Sequence, residues 1–198
     1  MKNILIAAAL LVVSTSASAN LITNGSFEFP GVTPTTFDQF DSIPGWTAVA
    51  PGQIEVRNNR VGTAQEGSNF VELDADFNST MFQTINTTAG TVYELSYWYS
   101  PRIGQNINTN GISAFWNDTL LTTSSATGTT FNEWTLLVFN VIGSASGTDK
   151  LTFSAVGISD SLGGNLDNVQ LNAVPVPAAA WLFGSALGLF GFARRRSI

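Results

Sequence analysis

The chain has 198 residues, with 8 Lys and Arg against 14 Asp and Glu, a formal charge of -6, and neither Cys nor His. A disulfide scaffold, a Cys/His zinc site, a Cys nucleophile and a Ser-His-Asp triad are thereby excluded. The acidic balance also argues against a nucleic-acid partner, which calls for a basic footprint. Only 11% of residues are charged, whereas Thr (22), Ser (19) and Asn (17) abound; this is the composition of short strands and turns.

Residues 1–19 read as a secretory signal. Lys2 supplies the positive start, residues 4–13 an apolar run, and Ala17-Ser18-Ala19 a small-x-small cleavage site. Signal peptidase is thus an expected partner, cutting after Ala19 and leaving Asn20 as the mature start. The run is too short to cross a bilayer core of ~30 Å, which disfavours an uncleaved anchor.

Residues 20–173 form the expected passenger domain. They hold Arg57, Arg60, Arg102 and Lys150 against all fourteen acids, a balance of -10. A domain this acidic repels anionic surfaces, leaving neutral glycans and cations as fitting partners. Period-2 patterning predicts strands over 70–73, 81–85, 92–99, 111–116, 134–141, 151–155 and 166–171. Along 92–99, Tyr93, Leu95, Tyr97 and Tyr99 share one face and Glu94, Ser96 and Trp98 the other. No sustained helical stripe occurs. Eight to ten short strands in about 154 residues predict an all-β antiparallel sandwich of jelly-roll type. The segments 31–39, 105–111 and 124–130 read as the least ordered.

Several residues invite chemical readings. Asp167 shares strand parity with Val169 and Leu171, so it is expected to face the core, where a carboxylate needs a partner. Basic partners are scarce; a cation is one answer, and the backbone amides of the Gly163-Gly164 turn are the other. Asp74-Ala75-Asp76-Phe77-Asn78 has the oxygen spacing of a calcium loop, but Ser79 and Ile85 stand where Gly and Glu are required, so it reads as an Asx-rich turn. Trp46, Trp98, Trp116 and Trp134 are possible sugar platforms, with core packing the default for each. Trp98 is the best placed for exposure, flanked on its face by Ser96 and Ser100, and Arg102 just beyond offers a forked donor for hydroxyls. No Gly-x-Ser-x-Gly elbow, phosphate loop or distinctive carboxylate pair points to an enzyme.

Five motifs carry a family likeness. Leu21-Ile22-Thr23-Asn24-Gly25-Ser26-Phe27-Glu28, Ile43-Pro44-Gly45-Trp46, Val71-Glu72-Leu73-Asp74, Tyr93-Glu94-Leu95-Ser96 and Leu166-Asp167-Asn168-Val169 follow in that order. The passenger thereby resembles the galactose-binding-like jelly rolls of many carbohydrate-binding modules. It also resembles a related extracellular cell-wall family whose members open on Asn-Gly-Ser-Phe-Glu. The resemblance implies extracellular placement. It also implies a structural Ca²⁺ between the opening Phe-Glu segment and an Asp near the final strand, positions held here by Glu28 and Asp167. Asn24 and backbone carbonyls would complete the six to eight oxygens that Ca²⁺ takes.

Residues 174–198 form the last segment. Val174-Pro175-Val176-Pro177 precede sixteen uncharged residues, 178–193, including Trp181, Phe183, Phe190 and Phe192. As a helix these would cover roughly 24 Å, a short single transmembrane span. Arg194, Arg195 and Arg196 would hold its end on the cytoplasmic side. This arrangement resembles the PEP-CTERM sorting tail of Gram-negative bacteria, although Val176 stands where the name-giving motif has Glu. The resemblance implies a membrane peptidase, exosortase, that cuts near Pro175-Val176-Pro177 after transient anchoring in the inner membrane. It also implies an association with exopolysaccharide. The expectation is therefore an exported, non-enzymatic envelope or matrix protein that contacts extracellular polysaccharide. A structural surface protein without sugar binding, or a secreted glycan hydrolase, is the alternative.

Overall fold

Tyr93, Leu95, Tyr97 and Tyr99 are buried, while Val92, Glu94, Ser96 and Trp98 between them are exposed or half-buried. That alternation is what a strand with one face on a core requires. It holds for β7 (Val92–Ser100), second from one edge of a six-stranded sheet. In spatial order that sheet runs β1 (Phe37–Phe40), β4 (Ile54–Asn58), β5 (Asn69–Glu72), β12 (Asn165–Ala173), β7 and β10 (Thr135–Ile142). A second sheet runs β2 (Ser42–Ile43), β3 (Trp46–Ala48), β6 (Thr80–Asn86), β11 (Thr148–Val156), β8 (Gly111–Trp116) and β9 (Thr119–Ser124). Every pairing between these strands is antiparallel. The result is the expected all-β sandwich.

The computed structural model describes residues 19–175, of which Ala19–Val174 make one unit. The secretory segment before Ala19, and the tail with Val176, Pro177, Arg194, Arg195 and Arg196, lie outside the described residues. Among the described residues no helix is long and apolar enough to cross a membrane.

The described chain has twelve strands where the patterning predicts eight to ten. β4 alternates Ile54 and Val56 with Glu55 and Arg57 but lies outside the predicted spans. The other additional strands are too short or too polar to show a period: β2 and β3 have two and three residues, β9 is rich in Thr, and β1 overlaps a segment expected to be loose. All are fixed by cross-strand partners rather than by their own sequence.

The core is threaded by aromatic rings. Phe27 and Trp46 are 5.7 Å apart, Trp46 and Phe153 5.9 Å, and Phe153 and Tyr97 4.9 Å in an edge-on contact. Each large apolar side chain buried there contributes about 1.5–3 kcal/mol. Trp46 and Trp116 belong to this interior, their indole nitrogens donating to the carbonyls of Asn24 and Ile142.

The opening segment runs beside β12. β5 pairs with β12 only at Asn165 and Leu166. Beyond that point Leu21 N donates to Leu171 O and Val169 N to Gly25 O, each at 2.9 Å. The Asn20 side chain accepts from Leu171 N at 2.8 Å. A Cβ on Gly25 would lie 2.0 Å from Val169 O, so only glycine allows this approach.

Candidate functional site

Asp167 points away from the core. The pairing of β12 with β7 slips between Asp167 and Gln170, and Asn168 at the bulge adopts φ +46°. The extra residue inverts the parity. Leu166 opposes Tyr99 on the inner face, Asp167 opposes Trp98 on the outer face, and Leu171 is inward again opposite Leu95. The shared parity of Asp167 with Val169 and Leu171 is therefore broken by the bulge. Asp167 is nonetheless fully buried, because the β4–β5 connection folds over it. Its Oδ2 accepts from Gln65 N at 2.7 Å and Glu66 N at 3.0 Å, and its Oδ1 from Asn168 N at 2.7 Å. These amides are not those of the Gly163-Gly164 turn. Burial raises its pKa to about 7 against the pull of the three amides.

Glu28 grips the same connection from the other side. Its Oε1 accepts from Ser68 N and Asn69 N, both at 2.8 Å. Gly67 sits between at φ +64°, where a Cβ would meet the Glu28 carboxylate at 2.4 Å. Asn24 closes its own turn, donating to Phe29 O at 2.6 Å and accepting from Phe29 N at 3.1 Å. The proposed metal-ligating trio thus engages backbone groups. Among the described residues no group of three or more Asp or Glu gathers as a metal-ligating cluster. In the Asp74–Asn78 turn, Asp74 Oδ2 accepts from Asp160 N and Leu162 N, pinning the 157–163 loop.

The outer face of the first sheet carries a more concentrated arrangement. In β4, Ile54 and Val56 enter the core, so Glu55 and Arg57 are directed outward. Glu55 lies directly opposite Glu72 of β5. Two carboxylates at such a position need cations, and two arginines supply them. Arg57 Nε meets Glu55 Oε1 at 2.6 Å, and Arg57 Nη2 contacts Glu72 Oε2. Arg102, carried just past the end of β7, places Nη1 2.8 Å and 2.9 Å from the two Glu72 oxygens and donates to Ser161 O at 2.9 Å. Gly163 N adds a bond to Glu72 Oε1 at 2.7 Å. Burial raises the Glu72 carboxyl to about 8, against the downward pull of Arg57 and Arg102. Deleting one member of such a buried network costs about 3–5 kcal/mol, because the others are left uncompensated.

This network floors a cleft of ≈ 210 Å³. Its rim is made by Phe37 and Gln39 of β1, Arg60 and Val61 of the β4–β5 connection, and Asp76. Phe37 is 41% exposed, with the Arg60 guanidinium over its ring at 5.5 Å from the centre, in cation–π range. Gln39 Nε2 bridges Glu55 at 3.3 Å and Asp76 at 3.5 Å. A flat apolar ring beside forked donors and carboxylate acceptors can hold a polyhydroxylated ring by stacking and paired hydrogen bonds. The cleft is smaller than the ~300–1,000 Å³ of drug-sized ligand sites, so it suits a single ring or substituent.

The two residues expected to bind ligand are separated by the fold. Arg102 lines the cleft, but as part of its floor, tied to Glu72. Trp98 lies outside the lining, half-buried on the outer face between Asp167 and Leu136. Trp134 packs edge-on to Phe70 at 6.0 Å and donates to Thr63 O. Phe37, Arg57, Arg60, Glu55 and Glu72 were not legible as a site in the sequence. The one available signal was that Arg57 and Arg60 are half of the passenger's basic residues.

Fold and site together define the class: an all-β jelly-roll sandwich with a small polar cleft on one outer face. No family model matches the chain. Over 153 residues, 76% of its length, the chain is 29% identical to the multifunctional-autoprocessing repeats-in-toxin of Vibrio vulnificus. Over 165 residues, or 81%, it is 28% identical to the protein of the same name from Vibrio cholerae. It spans only 3% of the length of each. Among solved structures it is similar to TmCBM61, determined in complex with β-1,4-galactotriose. That likeness has TM-score 0.50 and 21% identity, and covers 79% of this chain and all of that one. It shows a shared fold.

Proposed function

We propose that the passenger binds carbohydrate without transforming it, through the cleft rimmed by Phe37 and Arg60. The observation that carries this reading is the exposed Phe37 ring standing beside the Glu55–Arg57–Glu72–Arg102 network. It is a flat stacking surface with directional hydrogen-bonding groups fixed around it. The fold shared with TmCBM61, whose structure holds β-1,4-galactotriose, supports the same reading. The pinned carboxylates also favour binding over hydrolysis. Glu72 is fully buried under two arginines and an amide and does not line the cleft, so it reaches no leaving group.

In this reading the chain is exported, released by signal peptidase at Ala19-Asn20, and sorted by an exosortase-type peptidase through Pro175-Val176-Pro177 and Arg194–Arg196. It then joins the envelope or exopolysaccharide matrix of a Gram-negative cell. The sequence patterns at both ends support this placement. Mass spectrometry of the mature protein reads both termini directly. A structural Ca²⁺ at Glu28, Asn24 and Asp167 is a separate proposal. Such an ion competes with the amides that Asp167 and Asn24 now hold, whereas Glu28 holds its amides on Oε1 alone; a calcium-dependent rise in Tm that Asp167→Ala abolishes is its test.

Affinity electrophoresis in β-1,4-galactan and other glycans tests the binding itself. Retardation that falls at least several-fold in Phe37→Ala, with Tm unchanged, is the expected result. Equal mobility in every glycan would leave the structural-protein reading in its place.

A further inference from the structure

Three of the four basic residues in 20–173, namely Arg57, Arg60 and Arg102, line this one cleft. The fourth, Lys150, pairs with Asp118 through β11 and the β8–β9 turn. On a domain with a balance of -10, random scatter would not place nearly every cation in one depression. Part of their task is evident, since Glu55 and Glu72 need counter-charges. The hydrogen-bond inventory does not close on that task alone.

The carboxylates on the floor are already well supplied. Glu72 Oε1 accepts from Arg102 and Gly163, and Oε2 from Arg57 and Arg102. Glu55 accepts from Arg57 Nε on one oxygen and from Gln39 on the other. Donors, in contrast, are left over. Arg57 Nη1 and Arg102 Nε are buried without an acceptor, and the Arg57 side chain is 96% buried. At the rim, Arg60 bonds among the described residues only from Nη1, at a long 3.4 Å to Thr35 O. Buried guanidinium donors are normally paired, by protein or by bound water; these two lie just beneath the cleft surface, while Arg60 keeps donors at its rim. A neutral hydroxyl brings a donor with its acceptor. A carboxylate or sulfate brings acceptors alone, together with the charge and planar or tripod geometry that a guanidinium fork matches.

Building on the carbohydrate reading above, we propose that the cleft is specific for a sugar bearing an anionic substituent, a carboxylate or a sulfate, with Arg60 meeting it at the rim and the Phe37 ring stacking on the sugar. This reverses the simple inference from net charge. The domain as a whole repels polyanions at long range, yet at this one place Arg57, Arg60 and Arg102 balance Glu55, Glu72 and Asp76 and still leave guanidinium donors over. Long-range repulsion is screened within about 8–10 Å at ordinary ionic strength, whereas contacts inside a partly buried cleft are screened far less.

The test is affinity electrophoresis of the full chain in mild detergent, at physiological salt. The gels contain neutral β-1,4-galactan, alginate as a polyuronate, or dextran sulfate. The expected result is retardation by at least one acidic polymer well beyond that by galactan, with the responsive polymer naming the substituent. Arg60→Gln, at the solvent-facing rim, should weaken that retardation about tenfold, the cost of one charge-assisted hydrogen bond, while leaving Tm unchanged. Retardation by galactan alone would overturn the anionic specificity and leave carbohydrate binding standing. Retardation by no polymer would remove both. Acidic retardation that Arg60→Gln and Phe37→Ala leave intact would place binding elsewhere and overturn the proposal.

Discussion

Asp167 illustrates how one side chain couples local geometry to stability. Its carboxyl is buried beneath the β4–β5 connection, and desolvation holds its pKa up at about 7, well above the 3.8 of an exposed aspartate. The folded state therefore binds a proton that the unfolded state has already lost between pH 4 and 7. That contribution to stability is fully present below pH 4 and disappears as the pH rises through 7. Burial acts on Asp149 in the same upward direction, but bonds from Thr87, Asn117 and Ser144 outweigh it and hold its pKa below the ordinary value. Its contribution accordingly disappears as the solution becomes strongly acidic. Thermal unfolding followed from pH 4 to pH 8 should show Tm falling across the Asp167 window. In Asp167→Asn the slope should flatten, because the replacement has no proton to lose. A slope identical in the two proteins would contradict this account.

At the scale of elements, the connection between β4 and β5 is the structure on which the cleft depends. It carries Arg60 and Val61 to the rim and is fastened at two points, by Asp167 at Gln65 and Glu66 and by Glu28 at Ser68 and Asn69. Removing one fastening should loosen the segment without unfolding the sheets. In Glu28→Ala, amide exchange at Ser68 and Asn69 should accelerate at least tenfold while the central amides of β7 and β11 stay protected. Uniform acceleration throughout the sandwich would mean that Glu28 supports the whole fold instead.

The same elements show what a sequence can disclose. β7 and β11 were legible because half of each faces an apolar core and half does not, which imprints a period of two. The β12 bulge was not legible. Asn168 alone inverts the parity, and nothing in Leu-Asp-Asn-Val marks where the slip falls. The cleft was hidden for a related reason. Phe37, Glu55, Glu72 and Arg102 come from four parts of the chain, and only the order β1-β4-β5-β12-β7 brings their strands onto one face. Arg102 was singled out for its chemistry, yet its neighbour proved to be Glu72 rather than Trp98. That choice is made by tertiary pairing, which local spacing does not encode.

The whole molecule is a strongly acidic, Thr- and Ser-rich sandwich with one cleft where its scarce arginines collect. Two regions of the outer face compete as the binding surface. One is the Phe37–Arg60 cleft. The other is the apolar strip in which Trp98 lies beside Leu136 and Val138 of β10, the latter two 47% and 50% exposed. An amide-resolved NMR titration of the protein with the glycan that retards it most separates them directly. Binding in the cleft predicts shifts concentrated at residues 37–39, 55–61, 76 and 161, with Trp98, Leu136 and Val138 unmoved. Shifts centred on Trp98 and β10, with the cleft silent, would contradict it.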